Sequence, residues 1–171
     1  LLRESFAISR KLFGDDDYRV GDACQNLAAS LKDRGRYEEA ELLFRDAHRI
    51  LRGAFRDEHP KTTYPLLGLG EVLLRTEQFS SAESYLRQVY DTRRRLMPVG
   101  DRDRLMSARL FAESLSGQSR FSEAETVLRE AIDGAQDKGA LGSDEAQASL
   151  AQLVRVYQSL DRPADAKAYR R

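Results

Sequence analysis

Apolar and polar positions in this chain recur as a block as well as at helical spacing. Residues 35–47 read GRYEEAELLFRDA, and the aromatic and small positions Tyr37 and Ala40 return as Phe79 and Ala82, as Phe121 and Ala124, and as Pro163 and Ala166. Each step is 42 residues. Self-similarity at a constant interval marks a stack of like units, each too small to bury its own apolar face.

Inside each block the pattern predicts two helices. Residues 18–34 carry Val20, Cys24, Leu27, Ala28 and Leu31 on one face, a spacing of three and four. Asp15, Asp16 and Asp17 precede them as capping carboxylates, and Gly35 supplies a left-handed stop. A second helix at 37–54 completes an antiparallel hairpin with a very short connection. The same plan predicts helices at 61–76 and 80–96, 102–116 and 122–137, and 143–159. Pro60 suits a first helical turn, Ser143 an N-cap, and Glu130 and Glu145 are local charge partners. A last helix is predicted to begin at Pro163 and stop at Arg171.

Residues 1–13 show an apolar and small face, and a shift of 42 lays Leu2 on Phe44 and Ile8 on Ile50. The chain is therefore expected to open inside the second helix of a unit, to close in a shortened one, and to be a piece of a longer protein. The expected layout is one domain over 1–171. A partial unit spans 1–14, three units span 18–56, 60–98 and 102–138, and a truncated one spans 143–171.

The repeated residue types follow from packing. Ala40, Ala82, Ala124 and Ala166 let two helices cross closely, and Ala28, Gly70 and Ala112 face them from the first helices. Leu27, Leu69, Phe111 and Leu153 form one large apolar column, and Leu31, Leu73, Leu115 and Tyr157 another, while Tyr37, Phe79 and Phe121 plug the turns. Burial of each such side chain contributes about 1.5–3 kcal/mol, so these columns are the predicted core.

The run Asn26, Leu27, Ala28, Leu31, Gly35, Tyr37, Ala40, Phe44, Ala47 resembles the tetratricopeptide repeat position by position. The usual repeat has 34 residues; eight more add about two helical turns without changing the packed face. The long period and the turn Asp57, Glu58, His59, Pro60 resemble the kinesin-light-chain type, which is also widespread in large bacterial signalling proteins. The resemblance implies an all-α fold, a right-handed α-solenoid of about four antiparallel hairpins with incomplete ends. Its first helices would line a concave face and its second helices a convex one.

Composition narrows the partners. The 28 basic and 28 acidic side chains cancel, which argues against nucleic acid. No apolar run approaches the roughly 20 residues of a membrane span, so no membrane partner is expected. A single cysteine, Cys24, fits a reducing, cytoplasmic setting. Cys24 reads as a buried structural thiol, and His48 and His59 do not form a metal site. The aspartate triplet lacks the ligand spacing of a calcium loop. Arg93, Arg94 and Arg95 with Arg102 and Arg104 form one basic cluster beside Asp91, Asp101 and Asp103, read as a solvated, salt-bridged surface. No phosphate loop or nucleophile elbow is present, so neither a catalytic site nor a cofactor is expected.

The resemblance also implies a peptide-binding groove. Its family positions fall on Asp22, Gln25, Asn26, Ala29 and Lys32, on Tyr64, Leu67, Glu71 and Arg75, on Met106, Arg109, Leu110 and Glu113, and on Ala148, Ala151, Gln152, Arg155 and Gln158. Tyr64, Leu67, Met106 and Leu110 are expected to be exposed apolar anchors, with Arg75, Arg109 and Arg155 available to carboxylates. Gln25 and Ala29, then Gly68, then Met106 and Leu110 stand where the family's carboxylate clamp needs lysine, asparagine and arginine, so that clamp is absent. The expected function is a non-catalytic scaffold binding a protein or peptide partner. The alternative is a cis-acting sensory or regulatory arm of a larger bacterial signalling enzyme, a protein kinase or caspase-like protease. The apolar ends at Leu1, Leu2 and the short last helix also invite end-to-end self-association.

Overall fold

The structure is a computed structural model that describes residues 1–55 and 59–169. Asp57 and Glu58 of the turn signature, and Arg171 as the end of the last helix, lie outside the described residues. Every described element is an α-helix, and nine occur among these residues. They fall into two compact units, Leu1–Thr76 and Glu77–Arg171.

The first unit holds α1 (Leu2–Phe13), α2 (Tyr18–Asp33), α3 (Tyr37–Phe55) and α4 (Pro60–Arg75). Asp17 caps α2, its carboxylate accepting from the Arg19 backbone N–H, as the aspartate turn predicts. Helix α2 packs against both α1 and α3, and α3 against α4. Val20, Cys24, Leu27, Ala28 and Leu31 of α2 are all buried. Phe44 of α3 lies over Gly68 of α4, where an added Cβ would stand 2.3 Å from the ring.

The second unit holds α5 (Phe79–Leu96), α6 (Arg102–Gly117), α7 (Phe121–Asp137), α8 (Asp144–Ser159) and α9 (Pro163–Ala168). Ser143 caps α8 by accepting from the Ala146 N–H, and Asp101 caps α6 from two backbone N–H groups. Neighbours in sequence pack pairwise from α5 to α9, and α6 also meets α8. Phe79 lies against Gly117.

The 42-residue period is written in the backbone. Gly35, Glu77, Ser119 and Asp161, each 42 residues on, have positive φ of 73°, 57°, 60° and 54°. At three of these turns the following amide closes back on the helix. Arg36, Arg120 and Arg162 donate to the carbonyls of Leu31, Leu115 and Tyr157 at 2.9–3.0 Å, the Schellman ending of a helix. The predicted core columns are buried throughout: the crossing alanines at 40, 82, 124 and 166, and both large apolar columns.

Three expectations are corrected. Leu67 and Leu110 are each only 5 % exposed and belong to the core. Arg93 is fully buried, its guanidinium donating to the Asp103 carbonyl at 3.0 Å, so the basic cluster is not wholly a solvated surface. Helices α4, α5 and α7 begin one residue earlier than predicted, at Pro60, Phe79 and Phe121.

Candidate functional site

In the first unit, two ion pairs tie α2 to α4. Lys61 Nζ lies 2.7 Å from Asp22 Oδ2, and Lys32 Nζ 2.5 Å from Glu71 Oε2. Asp22 and Lys32 are ten positions apart on α2, as are Lys61 and Glu71 on α4, so the pairs stand about 15 Å apart along each helix. The helical stripes between them carry Gln25, Asn26 and Ala29 on α2 and Tyr64 on α4. None of these is charged. Gln25, Ala29 and Tyr64 are half-buried, and Asn26 is exposed. The side-chain oxygen of Gln25 is buried without a hydrogen-bond partner, an arrangement that costs free energy until a donor reaches it. Arg75, one turn beyond Glu71, is exposed.

In the second unit, Arg109 of α6 pairs with Glu145 of α8 at 3.2 Å and with Glu113 at 3.7 Å. With its amide nitrogen turned toward Arg109, Gln152 donates to the Arg109 carbonyl at 3.2 Å, and its oxygen accepts from the Glu113 backbone N–H at 3.0 Å. Met106 and Ala148 are half-buried, and Ala151, Arg155 and Gln158 are exposed.

Several residues read from the sequence as free ligand contacts are thus tied to one another. Lys32 and Glu71 satisfy each other, and Glu113, Gln152 and Glu145 are joined in one network around Arg109. Lys61 was not among the groove residues, nor was Glu145. A search for opposite charges 36 to 39 residues apart would have found both, because such residues meet across neighbouring first helices.

The remaining reactive side chains are structural. The Cys24 thiol is buried and donates to the Leu43 carbonyl at 3.2 Å; burial, with Asp46 nearby, pushes its pKa up to about 11. His59 caps α4 by accepting from the Lys61 N–H at 3.1 Å and stacks on Phe55. His48 Nδ1 lies 3.3 Å from the Thr62 carbonyl. Asp15 and Asp16 pair with Arg10 and Arg49. In the basic cluster, Arg94 meets Glu130 at 2.7 Å and Arg104 donates to the Met97 carbonyl. Among the described residues no group of three or more His, Cys, Asp or Glu is placed to hold a metal ion. Nor is any of their helices long and apolar enough to cross a membrane.

Comparison with known proteins bears on the repeat and the fold. A family model described as "Tetratricopeptide repeat" matches residues 23–95. No curated protein matches the sequence. Among solved structures, the chain is similar to a Podosopora anserina putative kinesin light chain with nearly identical TPR-like repeats, at TM-score 0.87 and 21 % identity, covering 98 % of this chain and 79 % of that one. It is also similar to BtubC (BKLC) from P. vanneervenii, at TM-score 0.86 and 18 % identity, covering 99 % and 67 %. Pseudomonas aeruginosa PilF follows at TM-score 0.67 and 17 % identity, covering 98 % and 64 %. At these identities the likeness is one of fold.

Proposed function

From a chain built of tetratricopeptide repeats of the kinesin-light-chain-like kind, a fold that serves protein–protein interaction, we propose a non-catalytic scaffold that binds a peptide segment of a protein partner along α2 and α4. The observation that carries this reading is the uncharged strip between two tied ion pairs. Asp22–Lys61 and Lys32–Glu71 hold the helices at a fixed separation, so the strip is pre-organised and binding does not have to order it. An extended or helical peptide lying there meets the small side chain of Ala29, the ring of Tyr64 and the amides of Gln25 and Asn26. A backbone N–H from the partner would satisfy the unpaired Gln25 oxygen, and Arg75 is placed to pair with a carboxylate. Leu67 and Arg109 take no part, since one is core and the other is tied to Glu145.

The test is capture by the intact protein and by a Gln25→Arg, Ala29→Arg variant, which fills the strip with two long cations. A partner held by the intact protein and lost by a variant with unchanged helicity and thermal unfolding supports the reading. Equal capture by both overturns it.

A further inference from the structure

Both ties across the α2–α4 strip join residues 39 apart, and the same offset sets Gln25 opposite Tyr64 between them. Each tie pairs one ammonium with one carboxylate, Lys61 with Asp22 and Lys32 with Glu71. Beyond the second tie stand exposed Asp33, 3.9 Å from Lys32, and exposed Arg75, one charge of each sign. The strip is therefore framed by charges that cancel, and its own floor of Gln25, Asn26, Ala29 and Tyr64 holds two amides, a methyl group and a phenol. A charged ligand residue laid on it loses water and meets no opposite charge. Absence of charge is what the strip selects.

Gln25 adds a requirement of shape. Its side-chain oxygen is covered and has no hydrogen-bond partner, although the residue as a whole is half-buried. The terminal torsion of a glutamine is soft, so the amide can turn to a donor that arrives in the strip. A helical ligand has its backbone N–H groups engaged internally beyond the first turn, whereas an extended one leaves them free along its length. The ties stand about 15 Å apart along each helix, the length of about five extended residues.

We infer that the strip takes an extended segment of about five uncharged residues, one of which donates its backbone N–H to Gln25 Oε1. With the strip as the binding site, on which this rests, the conformation of the ligand follows from Gln25 and its lack of charge from the two neutral ties. An uncharged contact of this kind has little to lose to ionic screening, unlike the capture of an acidic tail.

A displayed library of random peptides of about twelve residues, selected in parallel on the intact protein and on the Gln25→Arg, Ala29→Arg variant, separates the inference from the reading beneath it. Sequences enriched on the intact protein alone are expected to share an uncharged run of about five residues. An enriched set whose shared run is acidic or basic overturns the inference and leaves the strip as the binding site. No sequence enriched on the intact protein over the folded variant overturns the strip itself, and the inference with it. Asn26→Arg, at an exposed position, replaces the double variant if that loses helicity. One enriched peptide is then synthesised and its affinity measured by calorimetry. A tenfold rise in salt is expected to change the affinity less than twofold, and N-methylation at one backbone position of the run to weaken it at least tenfold. Gln25→Met, checked for helicity by circular dichroism, removes the acceptor and is expected to make that N-methylation harmless; Gln25→Ala takes its place if Gln25→Met loses helicity. A steep fall of affinity with salt overturns the uncharged contact. An N-methyl scan without a sensitive position, or one whose effect persists in the folded Gln25 variant, overturns the hydrogen bond to Gln25 and with it the extended ligand.

Discussion

Arg120, at the turn into α7, donates through Nη1 to Glu83 Oε2 of α5 at 2.6 Å, and 42 residues on Arg162 meets Glu125 at 2.7 Å in the same way. Each turn arginine therefore grips the second helix of the preceding repeat. The carboxylates belong to a second series as well. Glu41, Glu83 and Glu125 each face an arginine four residues later, at 45, 87 and 129. Glu83 accepts further from the Gln118 amide at 2.8 Å. A shared carboxylate of this kind is worth more than an isolated surface pair, because its partners hold one another in place.

The network makes stability depend on acid in a defined window. Partial burial would raise the Glu83 pKa, but hydrogen bonds from Arg87, Gln118 and Arg120 outweigh it and hold the carboxyl down to about 2, against an ordinary 4.5. A depressed folded-state pKa stabilises the fold above the unfolded value, and that contribution is lost as pH falls from about 4.5 toward 2. Glu83→Gln is expected to cost about 1 kcal/mol at neutral pH and progressively less in acid, the difference closing near pH 2. Urea unfolding of both proteins at several pH values reads this directly. A gap that stays constant down to pH 2 would show that the Glu83 charge contributes nothing.

The left-handed turns offer a second test. Gly35 occupies this conformation without a Cβ penalty, whereas Glu77, Ser119 and Asp161 adopt it with a side chain, at a cost on the order of 1 kcal/mol each. Ser119→Gly is expected to raise stability by about 0.5–1 kcal/mol. Gly35→Ala should lower it by a similar amount purely through backbone strain, because nothing lies within 4 Å of a Cβ built there. Thermal unfolding of the two variants should move in opposite directions, and a shift in the same direction would contradict this account.

Packing at the Phe44–Gly68 crossing is complementary in size, and the period shows the alternative solution. Forty-two residues on, the same two positions hold Leu86 and Leu110, both buried. Gly68→Leu alone drives a side chain into the Phe44 ring and is expected to cost roughly 3 kcal/mol. Adding Phe44→Leu imports the arrangement of the next repeat and should recover most of that loss. Chemical denaturation of the two single variants and the double variant measures the coupling; strictly additive losses would mean that the two positions pack independently.

This crossing also shows what the sequence could reveal. Helices, crossing alanines and apolar columns were legible because each rests on local spacing repeated four times. Leu67 and Leu110 were not: a leucine on a first helix reads alike whether it faces a groove or a neighbouring second helix, and the side-chain size across the crossing decides. Glycine at 68 beside phenylalanine at 44 was the available clue. Pro65 is buried inside α4, beyond its first turn, where it forfeits one i→i−4 backbone hydrogen bond; the apolar spacing that predicts the helix carries no sign of that loss. The pairing of Lys32 with Glu71 and of Arg109 with Glu145 depends on how far one helix slides along the next, and single-helix periodicity does not carry that distance.

Cys24 reports on whether the α2–α3 hairpin opens. Its thiol is buried, donates to the Leu43 carbonyl, and is held up to about 11 by burial and by Asp46, so near pH 8 it is neutral and shielded from reagent. The folded protein is expected to resist a thiol reagent at pH 8 and to react fully in denaturant, with the native rate following the opening equilibrium of the hairpin. Because the folded pKa is raised, the neutral thiol's contribution to stability is complete below the unfolded value near 9 and is lost as pH rises toward 11. Cys24→Ala removes that term, so wild type should lose stability relative to this variant over the same alkaline interval. Rapid stoichiometric labelling of the native protein at pH 8 would show instead that the thiol is accessible, and that α2 and α3 separate far more readily than their packing requires.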